Sequence, residues 1–150
     1  MTCRILLLAP LCLAIVLTAE TARSGDKKEQ EKLQGTWSMV KWSGGKPRPK
    51  KDKDLELTFK GDKVTIKSGA EPEAGEGTYS VDPTKKPKQL TVHLDRNGKK
   101  VTILGIYELN GDTLKICHFD GDTKSMEGRP KELVANEETI LAMFKRDKRK

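Results

Sequence analysis

Leu55-Glu56-Leu57-Thr58-Phe59-Lys60-Gly61-Asp62-Lys63-Val64-Thr65-Ile66 decides the fold. Apolar residues at 55, 57 and 59 alternate with polar ones, Gly61-Asp62 breaks the run, and Val64 and Ile66 resume the period of two. Such alternation turns one face of a strand to a core and the other to water. Two such runs around a short glycine-containing break read as a β-hairpin.

The same period recurs outward from this hairpin. Upstream it covers Thr36 to Trp42; downstream it returns in Thr78 to Val81, in Leu90, Val92 and Leu94, in Val101 to Leu109, in Leu114 and Ile116, and in Thr139 to Phe144. A weaker run spans Glu132 to Ala135. Asn97-Gly98 and Asn110-Gly111 separate neighbouring runs, and both pairs suit tight hairpin turns because each residue tolerates positive φ. Strands joined this locally form an up-and-down antiparallel meander. An all-β sheet of about eight or nine strands closes into a barrel to remove its edges. A short polar helix, Asp26 to Gln34, capped by Ser24 or Asp26 and stopped by Gly35, precedes the first strand. Two connections, Gly44 to Asp54 and Asp120 to Pro130, are too long for tight turns and read as loops at the barrel mouth.

The amino terminus is of another kind. Arg4 precedes an apolar stretch from Ile5 to Leu17, followed by small residues at Thr18, Ala19, Thr21 and Ala22. This is the layout of a secretory signal peptide over residues 1–22, with cleavage after Ala19 or Ala22. At about 13 residues the apolar run falls short of the roughly 20 that a spanning helix needs. The mature chain, 23–150, is therefore expected to be exported to the periplasm or the cell exterior without a transmembrane segment; anchoring through the N-terminal stretch is the lesser alternative. Cleavage leaves Cys117 as the sole thiol, which excludes an intramolecular disulfide.

About 130 residues suffice for one domain with a modest core. Charged residues make up 34% and hydrophobic ones 35%, within the globular range, with seven aromatics in all. The formal charge of +7 is the same with or without the leader. It is concentrated in Lys46 to Lys53, in Lys85, Lys86 and Lys88, and in the tail from Lys145 to Lys150. These clusters lack the interleaved aromatics that stack bases, so no specific nucleic-acid partner is expected.

Five motifs in order carry a resemblance: Leu33-Gln34-Gly35-Thr36-Trp37; Asp82-Pro83-Thr84-Lys85-Lys86-Pro87; Gly105-Ile106-Tyr107-Glu108-Leu109 with Gly111-Asp112-Thr113-Leu114-Lys115-Ile116-Cys117; Arg129-Pro130; and Phe144-Lys145-Arg146. Together they resemble the planctomycetal lipocalin-like family of conserved hypothetical proteins. The resemblance implies a lipocalin-like antiparallel barrel and supplies no catalytic residue to carry over. It marks Gly35, Trp37, Gly105, Gly111, Asp112 and Arg146 as structural residues. By similarity to the lipocalin first-strand signature, Trp37 closes one barrel end beneath an arginine near the last strand, here Arg146. Lys131-Glu132-Leu133-Val134 departs from the pattern, since an aromatic strand tends to follow Arg129-Pro130 in that family.

Candidate chemistry is sparse. Cys117 and His118 are neighbours on one strand and point to opposite faces, so they form no nucleophile–base pair. The phase of Leu114 and Ile116 turns His118 inward and Cys117 outward or toward the helix, as a small buried hydrophobe. His93 falls on the outer face, so the two histidines share no metal, and no zinc or calcium spacing is present. Asp112 is expected to brace the Asn110-Gly111 turn through its side chain. No catalytic residue, cofactor or metal is assigned, and the chain is expected not to be an enzyme. The aromatics Trp37, Phe59, Tyr79 and Tyr107, with His118, are the candidate interior residues for a small apolar or amphipathic ligand. The alternative is a structural or adhesion module whose basic surface meets anionic envelope polymers or a protein partner.

Overall fold

The computed structural model describes residues 20–46, 54–69, 71–96, 98–121 and 127–148, with residues 20–24 and 71–74 by backbone alone. The expected leader lies outside these residues up to position 19. One helix, α1 (Glu20–Leu33), precedes eight strands: β1 (Gly35–Gly44), β2 (Leu55–Lys60), β3 (Lys63–Ser68), β4 (Glu71–Asp82), β5 (Lys88–Arg96), β6 (Lys99–Asn110), β7 (Thr113–Phe119) and β8 (Thr139–Arg146). Each pairs antiparallel with the next, and β8 returns to β1, closing an eight-stranded barrel. Closure leaves no free edge, and that is how a one-domain meander avoids edge-to-edge association.

The hairpin that decided the reading is in place, with Leu57 opposite Ile66 and Phe59 opposite Val64. Two expectations need correction. The helix starts at Glu20, so Ser24 and Asp26 lie within it and neither is its N-terminal cap. The expected strand over 132–135 does not form; that stretch is irregular. Its backbone serves side chains instead of a ladder, since the Val134 carbonyl accepts from the Thr139 hydroxyl at 2.7 Å and from the Cys117 thiol at 3.7 Å.

Connectivity gives the barrel two unlike ends. At one, the tight turns β2–β3, β4–β5 and β6–β7 meet α1 and the end of β8. At the other, the mouth, lie the connections β1–β2, β3–β4, β5–β6 and β7–β8. A bulge in β1 sets which side chains enter. Met39 pairs with Phe144 and Lys41 with Met143, so Val40 is an extra residue and is exposed. Two residues then oppose one, the inward phase slips, and Trp42 rather than Lys41 turns into the barrel opposite Ala142.

Candidate functional site

The closed end is a solid floor. Trp37, Phe59, Val64, Tyr79, Tyr107, Leu114 and Phe144 point inward and are each at most 2% exposed. Phe59 and Tyr79 meet edge to face with ring centroids 4.7 Å apart, the arrangement aromatic quadrupoles favour. Helix α1 seals this end with one contact stripe, because Glu29 and Leu33 are four residues apart and share a face. The Trp37 indole N–H donates to the Leu33 carbonyl at 2.8 Å. Over its ring lies the Arg146 guanidinium, its carbon 4.2 Å from the centroid. Arg146 also donates to the carbonyls of Lys32 in the last turn of α1 and of Gln34 just past it, acceptors that the helix leaves without partners.

Polar groups at the floor are satisfied in pairs. Glu29 is buried and accepts from Lys88 at 2.5 Å and Lys32 at 3.2 Å, while the Tyr107 hydroxyl lies 3.4 Å away. Burial opposes the carboxylate, but the two lysines outweigh it and hold Glu29 below the usual range. Burial, and then the Glu29 charge, push the Tyr107 phenol far above its ordinary value. The Gln34 amide bridges the helix end to the first hairpin, accepting from the Gly61 N–H at 2.6 Å and donating to the Tyr79 hydroxyl at 2.9 Å.

Toward the mouth the packing loosens on one side. Inward-facing Leu57, Ile66, Val92 and Ile116 retain 6–8% exposure, and Met39, Trp42, Leu55 and Ile103 are half-buried, whereas at the closed end Leu109, opposite Leu114, is the half-buried member of the core. Ile140 and Leu94 remain buried. His118 shares this inward phase opposite Gly105 and Ile140; its Nδ1 lies 2.8 Å from the Phe119 carbonyl, which makes that nitrogen the donor. Among the described residues the interior above the floor is thus lined by apolar side chains and the His118 imidazole.

A family described as lipocalin-like domain matches residues 33–116, from the end of α1 to the middle of β7, which is more than half the chain. The chain belongs to this family. No curated protein and no solved structure matches it closely enough to show kinship.

In this lipocalin-like domain the residues singled out from sequence fall into two places. Trp37, Phe59, Tyr79 and Tyr107 come together at the floor, with Gly35, Gly111, Asp112 and Arg146 around its rim, whereas His118 and Gly105 sit higher, side by side on β7 and β6. Asp112 has a different role from the one expected. Its carboxylate pairs with Lys148 at 2.7 Å and Arg146 at 3.3 Å, tying the β6–β7 turn to the end of the chain instead of bracing the turn itself. Those cations hold it below the usual carboxylate range, the Lys148 hydrogen bond contributing most.

The lipocalin-like domain also carries an outer strap that alternation does not reveal. The described part of the β7–β8 connection from residue 127 onward crosses the outside of β5, β6 and β7, where Cys117, fully buried, lies beneath Val134. Arg129 fastens it, donating to the carbonyls of Leu90 and Gly105 and to the Thr91 hydroxyl. Both ends of the strap meet the mouth, since the Gly45 N–H donates to the Asn136 carbonyl and the Lys46 N–H to the Asp120 carboxylate. Trp42, Glu29, Lys88 and the Arg129 clamp escaped the sequence reading. The one signal for Trp42 was Lys41, a charge that strict alternation would have put inside. Among the described residues no group of three metal-ligating side chains occurs, and no helix is long and apolar enough to cross a membrane.

Proposed function

We propose that this protein is an exported, noncatalytic carrier that holds one small apolar or amphipathic molecule in the upper half of its barrel. The observation that carries this reading is the contrast within the interior: a packed floor beneath inward apolar side chains, Met39, Trp42, Leu55 and Ile103, that stay half-buried. Eight-stranded barrels either fill with side chains or hold one small ligand, and incomplete burial on the mouth side favours the second. Family membership agrees with it. His118 is the inward polar group that would orient an amphipathic ligand. The signal-like stretch before α1 supports export, and the five ordered motifs support a place in the planctomycetal branch of the family.

Native mass spectrometry of the protein isolated from its own source tests the reading. A retained small molecule in one-to-one ratio is expected, and stripped protein should bind an apolar fluorophore such as N-phenyl-1-naphthylamine at one site. Replacing Trp42 by Ala should weaken that binding about tenfold, the effect of losing one large apolar contact. An empty protein that also fails to bind the fluorophore would overturn the proposal.

A further inference from the structure

Two strands depart from strict alternation. Ile103 to Tyr107 in β6 and Ile140 to Phe144 in β8 each hold five consecutive residues without a polar side chain facing outward. Unbroken runs of this kind belong to strands covered on both faces. In β6 the second cover is on hand: outward-facing Ile106 pairs with Cys117 beneath the strap, and both are at most 2% exposed. In β8, Ile140, Ala142 and Phe144 are buried inside the barrel, which turns Leu141 and Met143 outward. Both are only half-buried, and the described residues place no second layer over them.

The surroundings of this outer face have a symmetry of their own. Among the described residues the exposed large apolar side chains are Val40 and Val134, and they flank β8 on opposite sides. Val40 bulges from β1 at the level of Met143 and Phe144, toward the closed end. Val134 lies on the strap over β7, its carbonyl held by Cys117 and Thr139, toward the mouth. Charge divides along the strand in the same sense. Lys145 stands at the closed end of β8 and Glu137 just before its mouth end, equally far from Leu141; both are exposed and neither is in an ion pair among the described residues. A half-turn about an axis through Leu141, perpendicular to the wall, exchanges the base with the acid and one valine with the other.

We propose that this wall is a two-fold interface between two copies of the chain, their β8 strands face to face and running in opposite directions. Lys145 of each copy then meets the partner's Glu137, and Val40 meets the partner's Val134. A second copy is favoured over a different partner because a patch that is complementary to itself in both charge and apolar outline is what an isologous contact requires. A partner of one charge sign would meet a like charge at one end of the strand. The half-turn points the two mouths in opposite directions and covers neither, so the assembly stands apart from the carrier reading.

Sedimentation velocity on the protein as its producing cells leave it reads the association directly. A reversible monomer–dimer equilibrium without larger species is expected, because a two-fold contact closes on itself. Val40→Lys and Val134→Lys, both at exposed positions, should each raise the dimer dissociation constant at least about tenfold by placing an ammonium in the apolar contact. Lys145→Glu and Glu137→Lys should each raise it at least about threefold, and the double variant should return it to within about twofold of the original, since the swap restores both pairs. Lys67→Glu on β3, across the barrel, should leave it within about twofold. Circular dichroism checks the fold of each variant. A chain that stays monomeric up to about 0.5 mM would overturn the proposal, since a contact weaker than that is no specific interface. So would a dimer indifferent to both valine changes, open-ended oligomers, or a double charge variant no better than either single one.

Discussion

One residue, Val40, decides what the barrel contains along β1. Without the extra residue, the phase that turns Trp37 and Met39 inward would bury Lys41 and expose Trp42; with it, the indole enters and the ammonium reaches water. Period-two reading placed Trp37 and Met39 and lost the phase at the bulge, because alternation carries no count of inserted residues. Glycines show how local such requirements are. Gly44 has φ +81°, and a Cβ there would stand 2.1 Å from the Thr139 carbonyl oxygen, because β1 ends pressed against the root of β8. Gly111 has φ +59° in an open turn with nothing near. Gly44→Ala should therefore cost about 3 kcal/mol, combining left-handed strain with a forced backbone shift. Gly111→Ala should cost about 1 kcal/mol, the strain alone. Urea midpoints at unchanged slope measure both, and equal losses would contradict this account.

At the scale of elements, the strands were legible and the pieces packed on them were not. Leu133-Val134 looks like the start of a strand, but Arg129 and Pro130 commit the chain to the outer wall before a ladder can form, and that clamp is a tertiary contact without a sequence period. It yields a prediction. Burial raises the Cys117 thiol above its usual value and hides it, so alkylation followed at its own peptide should be slow in the folded protein. Arg129→Ala should release the strap and speed that alkylation at least about tenfold, since the lost hydrogen bonds from a charged donor are worth roughly 1.5 kcal/mol or more. An unchanged rate would show that the strap is held otherwise. Helix α1 was legible as a helix, but its docking through Glu29 was not, because a lone glutamate among polar residues reads as solvated. Because the folded carboxyl titrates below the unfolded one, its contribution is complete above about pH 4.3 and is lost as pH falls through the depressed folded value. Glu29→Gln should cost about 2 kcal/mol at neutral pH, where hydrogen bonds to charged partners are lost. The gap between the two proteins should close on acidification; the depressed Asp82 and Asp112 are common to both and cancel. A gap independent of pH would remove the charge from the explanation.

For the whole molecule, closure joins residues far apart in sequence into one cooperative unit: β1 pairs with β8, and the floor draws on α1, every tight turn of the closed end and the end of the chain. Closure followed from strand count and local connection, whereas the division into a packed floor and a looser upper half depends on how tilted rows of side chains stack, which no single strand encodes. The only two tyrosines, Tyr79 and Tyr107, both lie in the floor and report on it. For each, burial is the largest effect and raises the phenol. The Glu29 charge adds to this at Tyr107, and at Tyr79 the Gln34 hydrogen bond opposes it only in part. The native state thus keeps protons that the unfolded chain releases near pH 10, so stability is complete below that value and declines as pH rises past it. Neither phenol should ionise at its ordinary pH while the barrel stands. The phenolate absorbance of both should rise in one step, together with loss of the far-ultraviolet circular dichroism, at a pH above the ordinary tyrosine range. Ionisation of either tyrosine near pH 10 with the sheet signal intact would mean that the floor opens independently of the barrel, and that the closed end is not the rigid base on which the carrier reading depends.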